Sequence, residues 1–411
     1  MTFGFGTRRI YADWAATTPV HPRVARAMLK VRALWANPSA IHEEGVRARA
    51  ALEGARTACA RILSAKPDEL YFTSGGTESN NLVIRGVVDA FIAGHPGASL
   101  ADVHIVTTAI EHSSVLETVR ELEQKGVSVS VVGPNAQGIV SADEVISAIR
   151  ANTALVTCML ANNEIGTFQP VSKIGAGIRK IRADKVGESR VPVVGTMARV
   201  ESDVLFPVFH SDASQAPLWT SCDLEGLRVD ALTLDAHKMQ GPKGVGLLAV
   251  RHGIPFAPLM RGGGQERGKR PTTESVMLAT GLAEALRIAH EGRERRVARA
   301  SSAQKALWTL LEKAIPGIIL NGSVEKRIPN NINISVPDLG DAEFAVIRLD
   351  AQGIACSTKS SCLAGEESSY VVSALGGPDW RAKNTLRFSF SPAISASDVR
   401  RIASAVKALI L

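Results

Sequence analysis

Two lysines five residues apart stand in the stretch TLDAHKMQGPKG, Thr233 to Gly244. His237 precedes the first of them, Lys238, and Asp235 lies three residues before it; the second, Lys243, sits between Gly-Pro and Gly. A lysine at a strand end can form a Schiff base with a carbonyl group, whereas Lys243 has the setting of a turn residue. Upstream, FTSGGTESNN (72–81) puts Ser74-Gly75-Gly76-Thr77 where a strand gives way to a helix. Such a junction aims free backbone N–H groups and the positive end of the helix at one spot, which suits a phosphate. The same residues also read as an ordinary glycine turn with Thr77 as a cap. HSDASQ (210–215) sets Asp212 at the carboxyl end of an apolar run. Open α/β sheets bind ligands at such ends, although a lone aspartate there is also a common loop or cap residue. A phosphate cradle, a carboxylate and a lysine are the parts that hold pyridoxal phosphate. The lysine supplies the Schiff base, the aspartate keeps the pyridine nitrogen protonated, and the helix end takes the phosphate.

The elements that must position these groups are visible as alternating patterns. Strand-length apolar runs occur at 69–73, 103–108, 127–132, 154–160, 208–213, 230–235 and 245–250, with helical patterns near 77–92, 112–125, 141–150 and 171–183. This alternation predicts an α/β fold with a mostly parallel seven-stranded sheet and helices on both faces. From about 275 the pattern changes to a long helical stretch (276–314), strands near 331–336, 353–356 and 385–390, and a last helix near 396–410, which predicts a smaller α+β domain. The division expected is an N-terminal segment (1–20) belonging to the small domain, a large domain (21–270) and a long helix with the C-terminal domain (271–411). The irregular stretch 184–208 reads as a surface loop or hairpin insertion, tolerated at little cost.

Composition narrows the class. A chain of 411 residues with 45% hydrophobic and 21% charged residues is ordinary for a globular protein of two domains. No apolar run reaches the roughly 18 residues of a membrane span, and the start lacks the pattern of an export signal. Five cysteines without repeating spacing argue against a disulfide framework and predict a reducing cytoplasm. Cys356 and Cys362, six apart with no histidine nearby, have poor zinc-ligand spacing, so no metal is expected. A net charge of +7 is modest for this length and reads as a solvated basic surface, with no direct nucleic-acid role.

Ordered blocks from YADWAATTPVHPRV (11–24) to LRFSF (386–390) carry a resemblance across nearly the whole chain. They include NPSAIHEEG (37–45), FTSGGTESNN, TAIEHSSVLET (108–118), ANNEIGTFQPV (161–171), HSDASQ, DAHKMQGPKGVG (235–246), RGGGQERGKR (261–270) and SSCLAGEESSYVVSALG (360–376). The chain resembles a cysteine desulfurase, of the class V aminotransferase group of fold-type-I pyridoxal-phosphate enzymes. The resemblance implies that Lys238 is the Schiff-base lysine, that Gly76, Thr77 and His237 hold the phosphate, and that Asp212 partners the pyridine nitrogen. It further implies Gln215 on the phenolic oxygen, His112 stacked on the ring and acting in catalysis, and Asn163 with Arg387 on the substrate carboxylate. Thr273 falls where a threonine is lent to the phosphate of the other subunit, which implies a homodimer. Cys362 matches the nucleophilic cysteine on a mobile loop. The implied reaction converts L-cysteine to L-alanine and leaves a persulfide on Cys362. Acceptor proteins of iron–sulfur cluster assembly or tRNA thiolation would then take up the sulfur. Two rivals stay open: a selenocysteine lyase or other class V enzyme in which Cys362 matters little, and a catalytically weak sulfur-assembly subunit.

Three departures from the family pattern stand out. The Asp235 position commonly carries a serine that bonds the phosphate. A carboxylate facing the phosphate would cost about 4 kcal/mol per unit-charge pair at roughly 4 Å and an effective dielectric of about 20. Asp235 is therefore expected to turn away from the phosphate toward a basic or backbone partner, or the phosphate site to be rearranged. Lys359 replaces a usual glycine near Cys362, where a cation could favour the thiolate or simply be a solvated loop lysine. Pro271-Thr272 stands for a usual Ser-Gly before Thr273. The remaining cysteines, Cys59, Cys158 and Cys222, read as buried small hydrophobes.

Overall fold

The computed structural model describes residues 8–189, 206–359 and 368–410. A seven-stranded sheet forms its centre, with strands β2 (Leu70–Thr73), β3 (His104–Thr108), β4 (Ser128–Val132), β5 (Thr153–Thr157), β6 (Val208–Asp212), β7 (Ala231–Asp235) and β8 (Gly246–Val250). Their order is β2-β8-β7-β6-β5-β3-β4. Only β8 runs antiparallel to its neighbours; the other pairings are parallel. Every residue of β2, β3 and β5 through β8 is buried, as near-continuous apolar runs require of strands covered on both faces.

Alternate residues of these strands feed two cores. Val106, Val156, Leu232 and Leu247 point to one face, where α2 (Glu43–Leu63) and α6 (Val171–Ser189) pack. Ile105, Leu155, Ala231 and Leu248 point to the other, under α3 (Gly76–Gly94) and α4 (Ser113–Gln124). The strand order reverses at β3, and the carboxyl ends around that point are where such sheets hold ligands. Gly246 allows one close approach there: a Cβ on it would lie 2.6–2.8 Å from the backbone of Gly75, so β8 must begin with glycine for the β2–α3 turn to lie across it.

A third core is separate. Strands β9 (Ile319–Leu320), β10 (Asn331–Ser335) and β12 (Thr385–Ser389) form an antiparallel sheet, and β1 (Ile10–Tyr11) pairs in parallel with β11 (Ile354–Ala355). Ile10, Leu307, Ile332, Phe388 and Ile402 share its interior.

Two expectations differ from the structure. The helical stretch 276–314 is two helices, Val276–His290 and Arg293–Ala314, broken where Gly292 takes a left-handed φ of 63°. The first of them packs against α2 and the Pro22–Lys30 helix in the large core, so we propose that the unit boundary lies at this break. The expected insertion at 184–208 begins as a continuation of α6 to Ser189, and its stretch 190–205 lies outside the described residues. Among the described residues no helix is long and apolar enough to cross a membrane.

Candidate active site

The carboxyl ends of the sheet strands open on a cavity of about 180 Å³, lined by Ala15, Gly76, Thr77, His112, Asn163, Asp212, Ser214, Gln215, Asp235, His237, Lys238 and Arg387 among others. Lys238 follows β7 on a short 3-10 turn, Ala236–Lys238. Its Nζ donates to the carbonyls of Ala15 (2.6 Å) and Ala16 (2.8 Å). The same N-terminal segment straps the turn down: Thr18 donates through N–H and hydroxyl to the His237 carbonyl, and Thr17 meets His237 Nδ1 at 3.0 Å. Lys243 is exposed and lies outside this cavity.

Asp212 ends β6, beside β7, and is held as a hydrogen-bond acceptor on both oxygens. Asn80 Nδ2 donates to Oδ2 at 2.8 Å and the Ser214 N–H to Oδ1 at 2.9 Å. Gln215 Nε2 donates to the Ala15 carbonyl at 2.9 Å. His112 caps α4: the Ser114 N–H donates to its Nδ1 at 3.1 Å, so its imidazole is fixed at the cavity wall by a structural bond. Behind it Glu111 is fully buried. Burial pushes its carboxyl up to about 7, against the hydrogen bonds it accepts from the Thr108 hydroxyl and the Met159 N–H.

From the second unit comes Arg387, on β12. Its Nη2 donates to Asp13 Oδ1 at 2.8 Å and its Nη1 to the Asn163 carbonyl at 3.0 Å. Arg387 Nε, Asn163 Oδ1 and Ser214 Oγ are buried without a partner among the described residues. Polar atoms so placed around one cavity call for a polar ligand.

The turn expected to cradle a phosphate is the place where expectation and structure part. Thr73 and Asp235 both pair with Gly246, so the end of β7 lies level with the β2–α3 turn. Asp235 does not turn away. Its Oδ2 accepts the Gly76 N–H, at the first residue of α3, at 2.7 Å. His237 Nε2 lies 3.4 Å from the same oxygen, and the His237 N–H donates to Oδ1 at 3.4 Å. Burial works to raise the Asp235 carboxyl, but His237, the Gly76 N–H and Lys238 hold it below the usual carboxylate range. The partner is backbone, as expected, but it is the donor expected to serve the phosphate, because antiparallel pairing of both strands with β8 brings their ends together.

Nine expected residues thus meet in one cavity: Gly76, Thr77, His112, Asn163, Asp212, Gln215, His237, Lys238 and Arg387. Thr273 is exposed and lines a separate depression with Arg270 and Glu274. Cys362 lies outside the described residues. The sequence reading assigned no role to Asp13, Asn80, Glu111 or Ser214. Only Asp13 left a signal, as the one charge in IYADWAATTPV (10–20).

The pattern of the Aminotransferase class-V family matches residues 10–185 and 190–402. The chain is 36% identical over 384 residues to the cysteine desulfurase IscS of Dictyoglomus turgidum, spanning 93% of this chain and 89% of that one. It is 35% identical to the mitochondrial cysteine desulfurase of Saccharomyces cerevisiae, over 98% of this chain and 75% of that one. Among solved structures it is similar to a NifS-like protein, with a TM-score of 0.85 and 30% identity over 98% of this chain and 99% of the other. It is also similar to SspA in complex with cysteine, with a TM-score of 0.74 and 32% identity over 93% and 99%. The chain belongs to the cysteine desulfurases of the class-V aminotransferase family.

Within this cysteine desulfurase the described thiols are poor nucleophiles. Burial pushes Cys59, Cys222 and Cys356 up to about 12, and Cys158 well above its ordinary value. A thiol held that far above neutral pH carries almost no thiolate. Lys359, expected as a solvated loop residue or a thiolate-favouring cation, is buried at 6% exposure and pairs with Glu343 at 3.2 Å. In the desulfurase it anchors the strand-side start of the segment that carries Cys362.

Proposed function

We propose that this cysteine desulfurase binds pyridoxal 5′-phosphate in the cavity and converts L-cysteine to L-alanine, moving the sulfur onto Cys362. The observation that carries this reading is the convergence of Lys238 Nζ, the Asp212 carboxylate and Arg387 on one cavity from both units of the fold. The ring end of the site fits the cofactor. Asp212 is fixed by two donors at the cavity wall, where it would meet a protonated pyridine nitrogen. His112 stands at the wall for stacking, and Gln215 lies beside the lysine. The phosphate end fits only with Asp235 accommodated.

When bound, the cofactor supplies an electron sink for the carbon that loses its proton. Lys238 would hold it covalently, and its Nζ, positioned by the carbonyls of Ala15 and Ala16, would move a proton at the substrate carbon. Arg387 offers its unpartnered Nε, with Asn163, to the substrate carboxylate, a pairing for which a guanidinium is suited. The Cys362 thiolate attacks the substrate sulfur. An S–S bond forms as the S–C bond breaks, and the carbon keeps the bonding pair and takes a proton, giving alanine and a persulfide.

Partners follow by the same resemblance: a second copy of this chain, and acceptor proteins for the persulfide. Large apolar side chains left open at Trp35 (81% exposed) and Ile41 (93%), between the Pro22–Lys30 helix and α2, support the homodimer. The test is to supply purified protein and pyridoxal phosphate with L-cysteine and quantify alanine and sulfide, with selenocysteine and keto acids in parallel. Alanine from cysteine at a rate that depends on Cys362 is expected. Turnover of selenocysteine or keto acids alone would reject the reading.

A further inference from the structure

The cradle at the start of α3 already holds an anion, and that anion belongs to the chain. Asp235 Oδ2 stands 2.7 Å from the Gly76 N–H. It would also lie 3.2–3.3 Å from a Cβ on Gly75 or Gly76, the space that makes the cradle open to a ligand. The charged and titratable groups around it are His237 and Lys238 on its own turn, Asp212 at the end of β6, and His112 and Arg387 across the cavity. At this spot β8 contributes Gly246, and the β2–α3 turn contributes Gly75, Gly76 and Thr77; Glu78, in the first turn of α3, accepts the Ser74 N–H at 2.6 Å and is paired with Arg270 at 2.8 Å.

A phosphate monoester loses its second proton near pH 6, so at neutral pH it arrives mostly as a dianion. Dianion and carboxylate cannot share one N–H cradle without a proton between them, for the same reason that two carboxylates in one site ionise in turn. Resting on the proposal that pyridoxal phosphate is the cofactor, we infer that Asp235 is a specificity-determining residue: it admits the phosphate only together with one proton, held between its carboxylate and a phosphate oxygen. The affinity for the phosphorylated cofactor is then coupled to proton uptake. The affinity for its phosphate-free analogue, pyridoxal, is not. His237, within 3.4 Å of the carboxylate and bonded to Thr17, keeps Asp235 in place rather than letting it leave the cradle.

The experiment measures binding of pyridoxal phosphate and of pyridoxal by absorbance and by calorimetry in two buffers of different protonation enthalpy. It uses wild type, Asp235→Ser and the isosteric Asp235→Asn. From about pH 6.5 to about 8.5 the Kd of wild type for pyridoxal phosphate rises, relative to both variants, by up to about tenfold per pH unit, the slope of one linked proton. Wild type takes up about one more proton on binding than either variant. For pyridoxal the three proteins share one profile. A wild-type profile parallel to the variants, with no extra proton, overturns the inference, since Asp235 then leaves the cradle as a carboxylate. So does a loss of affinity in both variants, or an equal change for pyridoxal. If none of the three proteins binds pyridoxal phosphate, the cofactor reading itself fails and this inference with it.

Discussion

Arg387 and Asp13 are joined by a 2.8 Å ion pair that ties β12 to the segment after β1. The pair spends one nitrogen of the guanidinium, a second is held by the Asn163 carbonyl, and Nε remains without a partner among the described residues. Asp13 therefore sets the plane in which Arg387 meets a ligand. A fixed fork is what a carboxylate needs, and a lysine cannot supply it. Asp13→Asn keeps the shape but loses the charge, and we expect KM for cysteine to rise about tenfold, close to 1.4 kcal/mol, with kcat nearly unchanged. Arg387→Lys should raise KM further. Steady-state kinetics decide it: a fall in kcat at constant KM on Asp13→Asn would assign the pair to chemistry instead of binding.

For the lysines, Lys238→Ala should lose all covalently held cofactor and all turnover, while Lys243→Ala keeps both. Lys238 alone reaches the cavity, and Lys243 is exposed outside it. Borohydride reduction followed by peptide mapping tests this. A pyridoxyl label on Lys243 is the result that rejects it.

Glu111 predicts a pH effect on stability. Its carboxyl sits near 7 in the folded chain because burial disfavours the charge, against an ordinary value of 4.5. The folded state thus binds more protons than the unfolded state between these values, so stability falls as pH rises from about 4.5 to about 7, by up to ~1.4 kcal/mol per unit. Glu111→Gln cannot ionise and should not show that loss. Thermal melts of the two proteins across this range should diverge as pH rises, with the variant gaining on wild type. Parallel curves would show that Glu111 is ionised in the fold.

Much of this site was legible because its parts end strands. Asp212 and Lys238 follow apolar runs whose burial on both faces leaves few alternatives, and the Gly75-Gly76 turn marks itself as a place of close approach by lacking side chains. What was not legible depends on distance along the chain. Asn80 meets Asp212 across 132 residues, Asp13 meets Arg387 across 374, and Lys238 is held by carbonyls 222 and 223 residues away that have no sequence signature at all. Which backbone partner Asp235 takes is not legible for a related reason. Its chemistry against a phosphate was clear, but its pairing partner Gly246 also pairs with the end of β2, and that register decides where the carboxylate lands. The helix break at Gly292 was missed because the apolar pattern resumes after it, while a left-handed residue interrupts the backbone only locally.

On the proposed reading, Cys362 separates sulfur transfer from other class V chemistry. The described thiols are held out of reach by burial, Cys356 among them at about 12, so none of these is a ready thiolate at neutral pH. Serine is nearly isosteric with cysteine, and its hydroxyl stays protonated near neutral pH and cannot accept a sulfur atom. Cys362→Ser should therefore fold, bind cofactor with unchanged absorbance and still respond spectrally to cysteine, because Lys238, Asp212 and Arg387 are untouched. It should release almost no alanine and carry no persulfide. Cys356→Ser should keep most activity, since its buried side chain lies in the small core beside β11 and no sulfur passes through it. Persulfide mapping by mass spectrometry, read together with alanine yield, checks both variants. Alanine from Cys362→Ser at near wild-type rate would remove the nucleophile from this scheme and favour a lyase in which the sulfur leaves without a protein acceptor.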